Sequence, residues 1–232
     1  MIKRDEMKVV PYMSLAGSLM YAQVCTHPDI IFVVGVLVTY LSDPGHSHWK
    51  AAKKVMQYLQ GTMDHMLTYR RADNLDIVGF SNVDYAGCVD DEKSTSDYIF
   101  MMAKRVVLWK SVKQTLTASL IMEAGYIACY EATCQAIWMQ NFISAMGVID
   151  SISRLLKFYY DNHAAVAFSK TARSTSRSKH IDIKCYFVKE KVIESLIFIY
   201  TPTNGMLADP LTKGLPICVF LEHVARMELL RT

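Results

Sequence analysis

The sequence predicts an α/β fold in which five strands and their flanking helices follow a helical segment. Three observations predict it. Between positions 7 and 70 the apolar residues recur at helical spacing, and from Ile77 the pattern becomes strand-like. Beyond that point the candidate elements run as three strands, a helix, a strand, a helix, a strand and a final helix. The composition supports a folded chain: 232 residues, 52% of them hydrophobic and 20% charged, with no internal repeat.

In order, Ser14 to Tyr21 opens a helix, and Pro28-Asp29 restarts the chain with a proline suited to a first helical turn. The apolar run from Ile30 to Leu41 is roughly half of the ~20 residues needed to cross a bilayer, so it reads as a core helix. Pro44-Gly45 breaks the pattern. His48 to Leu59 is amphipathic, with Trp49, Ala52, Val55, Met56 and Leu59 at helical spacing, and Gly61 is a candidate C-cap.

Strands are expected at 77–80, 98–102 and 106–109, the first ending in a polar turn that starts at Ser81. A helix from about Glu123 to Met146 would bury Ile127, Tyr130, Ala136, Ile137 and Phe142 and end at Gly147. Leu155 to Tyr160 reads as a strand running into Asp161-Asn162, then a short helix through Ala164 to Phe168 and a loop at 171–179. A helix over Asp182 to Glu194, a strand over Ser195 to Tyr200 and a last helix after Asp209-Pro210 complete the order.

A net charge of +3 does not by itself call for a nucleic-acid partner. Basic residues do cluster locally, at Lys104, Arg105, Lys110 and Lys113 and at Lys170, Arg173, Arg177 and Lys179. The six cysteines show no Cys-x-x-Cys pair and no metal-ligand spacing with histidine, which suggests reduced, mostly buried thiols. Lys3, Arg4, Asp5 and Glu6 interrupt any apolar leader. The expectation is an intracellular protein of cytoplasm or nucleus, not secreted, with no membrane span and no evident small-molecule substrate.

The phrase Ser81-Asn82-Val83-Asp84-Tyr85-Ala86-Gly87 stands at the end of the first strand. Further phrases are Lys93-Ser94-Thr95-Ser96, Trp109-Lys110-Ser111, Ser178-Lys179-His180-Ile181-Asp182-Ile183 and Ala208-Asp209-Pro210-Leu211-Thr212-Lys213. Earlier in the chain come Gly17-Ser18-Leu19-Met20-Tyr21, Thr26-His27-Pro28-Asp29-Ile30 and Tyr58-Leu59-Gln60-Gly61-Thr62. Together these resemble the C-terminal part of copia-type retrotransposon polyproteins, from about Val10 to Arg226. The resemblance implies a helical connection segment over 1–72 and a domain over 73–232. That domain would be a ribonuclease H-like mixed five-stranded sheet with flanking helices.

Ribonuclease H chemistry gathers carboxylates from separate elements around two magnesium ions about 4 Å apart. Magnesium is a hard cation that prefers charged oxygen ligands in regular octahedral geometry. The resemblance carries four positions across. The family's aspartate in Ser-Asp-Ala-Asp-Trp-Ala-Gly falls on Asn82. Its glutamate in Thr-Glu-Ala-Glu-Tyr-Ile-Ala falls on Gly125. The third position is Asp161 in Tyr160-Asp161-Asn162, and the fourth is Asp209 in Leu207-Ala208-Asp209. Two carboxylates survive and two are replaced.

Neighbours do not restore the set. Asp84 shares a strand face with Asn82 but lies roughly 6–7 Å further along, which leaves it a marginal metal ligand at best. Glu123 is two helical residues from Gly125, about 200° around the helix. Asp161 and Asp209 also suit ordinary turns and helix caps. Three further departures replace a basic family residue by His27, Gln57 or Gln60, and Asp97 stands where the family has glycine. Cys88-Val89-Asp90-Asp91 resembles the metal-binding hairpin of the polymerase palm but reads as a solvated acidic loop. The reading is a degenerate ribonuclease H-like domain whose ancestral magnesium is weakly held or lost. The alternatives are a non-catalytic module for RNA–DNA hybrid or other nucleic acid, and a weak nuclease using Asp161, Asp209 and Asp84.

Overall fold

The computed structural model describes residues 7–72, 76–85, 93–118, 120–147, 156–161, 179–194, 196–202 and 205–231. By backbone proximity the chain divides into two compact units, Met1–Thr68 with Lys213–Thr232, and Tyr69–Thr212.

In the first unit, helix α1 (Tyr12–Cys25) is followed by a 3-10 turn (Pro28–Ile30), α2 (Ile31–Thr39) and α3 (His46–Gly61). Pro28 opens its turn as expected, because the missing N–H has no helical partner there. Tyr12, Ala16, Leu19, Ile30, Val34, Leu37, Ala52 and Val55 form one apolar core. Tyr12 donates its buried hydroxyl to the Leu37 carbonyl at 2.8 Å, so the ring fills the core without stranding its oxygen. Two expectations are corrected: Gly61 is helical, with Thr62 as the C-cap, and Met56 is exposed. Strand β1 (His65–Leu67) pairs antiparallel with a C-terminal strand that the sequence did not predict.

The second unit is a mixed five-stranded sheet. Its strands are β2 (Ile77–Asp84), β3 (Thr95–Met102), β4 (Arg105–Lys113), β5 (Leu156–Tyr160) and β6 (Leu196–Tyr200). Their order is β4-β3-β2-β5-β6, antiparallel on the β4 side and parallel from β2 to β6. Two helices of this unit are α4 (Ile121–Ala145) and α5 (Lys179–Glu194). This is the mixed sheet with flanking helices that the sequence predicted. All three early strands are longer than expected. The supposed polar turn at Ser81 is strand through Asp84, because Ser81 to Asp84 pair with Tyr98 to Thr95. Ladder hydrogen bonds override polar composition there.

Gly79 marks the crowded side of β2. An ideal Cβ there would lie 2.7 Å from the Phe158 ring and 3.0 Å from Phe100, so only glycine fits beneath those rings. Phe100, Phe158, Tyr160 and Phe198 pack edge-to-face or offset with Ala132, Ala136 and Met139 of α4. Of the positions expected to be buried on α4, Ile127 and Ala136 are, Tyr130 and Ile137 are partly so, and Phe142 is exposed, stacked on Trp138.

A short helix α6 (Asp209–Thr212) closes the second unit. The last stretch, counted with the first unit, is α7 (Ile217–Arg226) and β7 (Leu229–Arg231), the partner of β1. The helix expected at 164–168, most of the loop at 171–179 and the Cys88–Asp91 run lie outside the described residues. Among the described residues no helix is long and apolar enough to cross a membrane.

Candidate functional site

Strand alternation sends successive side chains of β2 to opposite faces. Gly79 and Val83 face the α4 side, where Val83 packs with Ala124 and Ile127. Asn82 therefore points to the other face, where α6 packs against β2, β3 and β4. There the Asn82 Nδ2 donates to Asp209 Oδ1 at 2.7 Å and to Thr212 Oγ1 at 3.3 Å. The Asn82 Oδ1 accepts the backbone N–H of Val83 at 2.7 Å. Thr212 donates its hydroxyl to the Asp209 carbonyl at 2.9 Å, which fixes the single turn of α6. Asn82, Asp209 and Thr212 are all buried.

Two of the four expected positions thus touch directly although 127 residues separate them. A third is close by topology. Tyr160 ends β5 and pairs with Ser81, so Asp161, the next residue, stands level with Asn82 across a parallel ladder. Asp161 is half-buried. Gly125 lies in the buried part of α4, the helix packed on β2 and β3, and it brings no side chain to the sheet. Its helical neighbours Ala128 and Cys129 are buried and uncharged, and burial pushes the Cys129 thiol up to about 12. Glu123 is buried too, and its charge acts on Cys185 of α5. Asp84 pairs with Thr95 at the end of β2.

Sequence reasoning missed two participants. Thr212 stands three residues after Asp209, the spacing at which a helical hydroxyl meets the first-turn carbonyl, and that spacing was the available signal. Asp97, noted only as a departure, pairs in register with Asn82 and is fully buried. Burial raises its carboxyl well above the ordinary carboxylate range, and the charges of Asp84 and Glu131 push the same way. Gln114 adds a structural tie: its Nε2 donates to Ser96 Oγ at 2.8 Å and to the Ala124 carbonyl at 2.9 Å, joining the sheet to the turn of α4 that carries Gly125.

These residues do not fit a two-magnesium set. An amide donor sits at 2.7 Å from Asp209 where a metal ligand would be an anionic oxygen, and Gly125 supplies no ligand. Among the described residues no three histidine, cysteine, aspartate or glutamate side chains are grouped so as to hold a metal ion. Asp84, Asp161 and Asp209 are accordingly not gathered into one three-carboxylate site.

No family model matches the chain. It is 37% identical over 215 residues to the retrovirus-related Pol polyprotein of transposon TNT 1-94 from Nicotiana tabacum, a match covering 92% of this chain and 16% of that polyprotein. It is 44% identical over 133 residues to secreted RxLR effector protein 161 of Plasmopara viticola, covering 57% of this chain and 94% of that protein. Among solved structures, the foamy viral protease–reverse transcriptase in complex with dsDNA superposes with a TM-score of 0.52 at 13% identity. That match covers 86% of this chain and 41% of that one, and it concerns the fold.

Proposed function

The chain belongs with the Pol polyproteins of copia-type retrotransposons, and we propose that it is a degenerate ribonuclease H-like domain that no longer cleaves RNA–DNA hybrids. It spans about a sixth of the tobacco polyprotein's length, so polymerase chemistry lies outside the reading. We divide it into a helical connection segment, 1–72, and a ribonuclease H-like domain, 73–232. The break between Thr68 and Tyr69 supports the first boundary, whereas by backbone proximity Lys213–Thr232 group with the first unit, a difference from the 73–232 division. The five described cysteines are free thiols, which supports a reducing compartment, cytoplasm or nucleus.

One observation carries the loss of activity. In an intact site the first and fourth carboxylates repel each other, and cations between them offset that repulsion. Here Asn82 donates directly to Asp209, so the carboxylate has a neutral amide hydrogen-bond donor in place of a second carboxylate that only cations could hold beside it. With Gly125 contributing nothing, the ancestral magnesium is weakly held or lost.

A second reading, a non-catalytic nucleic-acid module, draws on the exposed Lys104 and Lys110 at the β3–β4 hairpin and on β4. An RNA–DNA hybrid assay with magnesium or manganese, scoring binding and cleavage together, separates the readings. No cleavage is expected. Hybrid binding that weakens steeply with salt would favour the second reading. Cleavage abolished by Asp161→Asn would overturn the first and establish a residual nuclease built on Asp161 and Asp209.

A further inference from the structure

Asp97 is set apart from the other buried carboxyls. Its carboxyl is wholly buried, and the hydrogen bond from the Ser111 side chain beside it on β4 does not offset that burial. It stands directly opposite Asn82 on the antiparallel β2–β3 ladder. Directly opposed residues share a face, with Cβ atoms about 4.5–5.5 Å apart. On its other side Asp97 pairs with Ser111 of β4, and the charges acting on it are those of Asp84 and Glu131. Exposure is 6% for Asn82, 0% for Asp97 and 3% for Asp209, so water does little to screen anything placed among them.

We infer that Asn82 and Asp97 are a matched pair, in which the neutral amide at position 82 is what permits a carboxyl at position 97. The inference rests on reading position 82 as a former carboxylate position, and it deepens that reading. Asn82→Asp would do two things at once. It would remove the amide that donates to Asp209, and it would put a third carboxyl between Asp97 and Asp209 in a desolvated patch. Unpaired charge in such a place is strongly unfavourable. The family's aspartate therefore cannot return alone. Position 97 must lose its carboxyl first, and the loss at position 82 is locked in by a residue that is no part of the ancestral ligand set.

A double-mutant cycle on the full chain tests this, read by urea denaturation at neutral pH without added metal. The variants are Asn82→Asp, Asp97→Asn and the pair combined. Asn82→Asp should lower the folding equilibrium constant at least about tenfold more when Asp97 is present than when Asn replaces it, equivalent to about 1.4 kcal/mol of coupling. Equal losses in the two backgrounds would overturn the inference. If Asn82→Asp does not fold, a folded double variant supports the pairing and an unfolded one refutes it. Asp97→Gly repeats the cycle with the family's own residue. Failure of both Asp97→Asn and Asp97→Gly to fold would also overturn it, since the carboxyl itself would then be required. The readout is stability, so it stands or falls independently of hybrid cleavage.

Discussion

The two halves of strand β2 have met different fates. In its first half Gly79 lies under Phe158 and Phe100, at the centre of an aromatic cluster that seals α4 to the sheet. In its second half Asn82 lies among Asp97, Asp209 and Thr212, in a patch that is as buried but polar. Any change in the first half lowers stability directly, because close-packed interiors register even one methylene. In the second half, carboxylates gathered for a cation are a burden to folding unless the cation is present. On the proposed reading, replacing one of them with an amide relieves repulsion, so the second half tolerates exchange where the first half does not.

The largest expected effect breaks the aromatic half. Phe158→Ala should destabilise the domain by about 3–5 kcal/mol, the range for emptying a buried aromatic site. Gly79→Ala should also destabilise it, by about 1–3 kcal/mol, because the new methyl overlaps the Phe158 ring. Urea midpoints measure both. If either change proves neutral, the contrast between the two halves fails.

The next prediction concerns pH and the polar half. The folded-state pKa of Asp97 is raised above its ordinary value, so the folded chain holds that proton more tightly than the unfolded chain does. Stability from this group is therefore greatest below the ordinary carboxylate pKa and falls as pH rises toward the folded pKa. Asp97→Asn should remove that fall. Comparing urea midpoints of the parent and the variant between about pH 4 and pH 8 isolates the group from the other carboxyls. A pH profile that Asp97→Asn leaves unchanged would show that the charge of Asp97 is compensated in the folded chain.

What could be read from the sequence follows the same divide. The five strands and the helices around them came from periodicity, which the apolar core imposes. The β1–β7 pair stayed hidden because three-residue strands carry no period of their own. The continuation of β2 through Asp84 was also missed: its polar residues resemble a turn, and only pairing with Thr95 to Tyr98 makes them strand. For the site, family phrasing named Asn82, Gly125, Asp161 and Asp209 as candidates. It could not show that Asn82 binds Asp209 or that Asp97 lies opposite Asn82, because long-range register is written in no local motif.

A smaller effect sharpens the polar half. Thr212→Val keeps the shape but removes the hydroxyl that accepts from Asn82 and donates to the Asp209 carbonyl. The expected loss is about 1–2 kcal/mol, allowing for two ordinary hydrogen bonds. In an Asn82→Ala background, which has already lost the first of those bonds, the loss should be visibly smaller. Equal losses in both backgrounds would mean that Thr212 acts on α6 alone.

The smallest effect lies at the hairpin between β3 and β4, away from both halves, where stability and binding can be set against each other. Met102 pairs with Arg105, so the turn is the two residues Ala103 and Lys104, both at positive φ, 52° and 64°. Two-residue hairpins with both residues left-handed favour Asn-Gly, because side chains with a Cβ are strained there. Ala103→Asn with Lys104→Gly should therefore stabilise the domain by about 0.5–1 kcal/mol. Lys104 is also an exposed member of the basic cluster near this turn. If the second reading of function holds and Lys104 grips a phosphate, the more stable double variant should bind hybrid more weakly, with its salt dependence reduced by about one counterion. A variant that gains stability and keeps the same binding and salt slope would take this hairpin out of any nucleic-acid surface. A variant that gains no stability would show that contacts beyond the turn already offset the strain at Ala103 and Lys104.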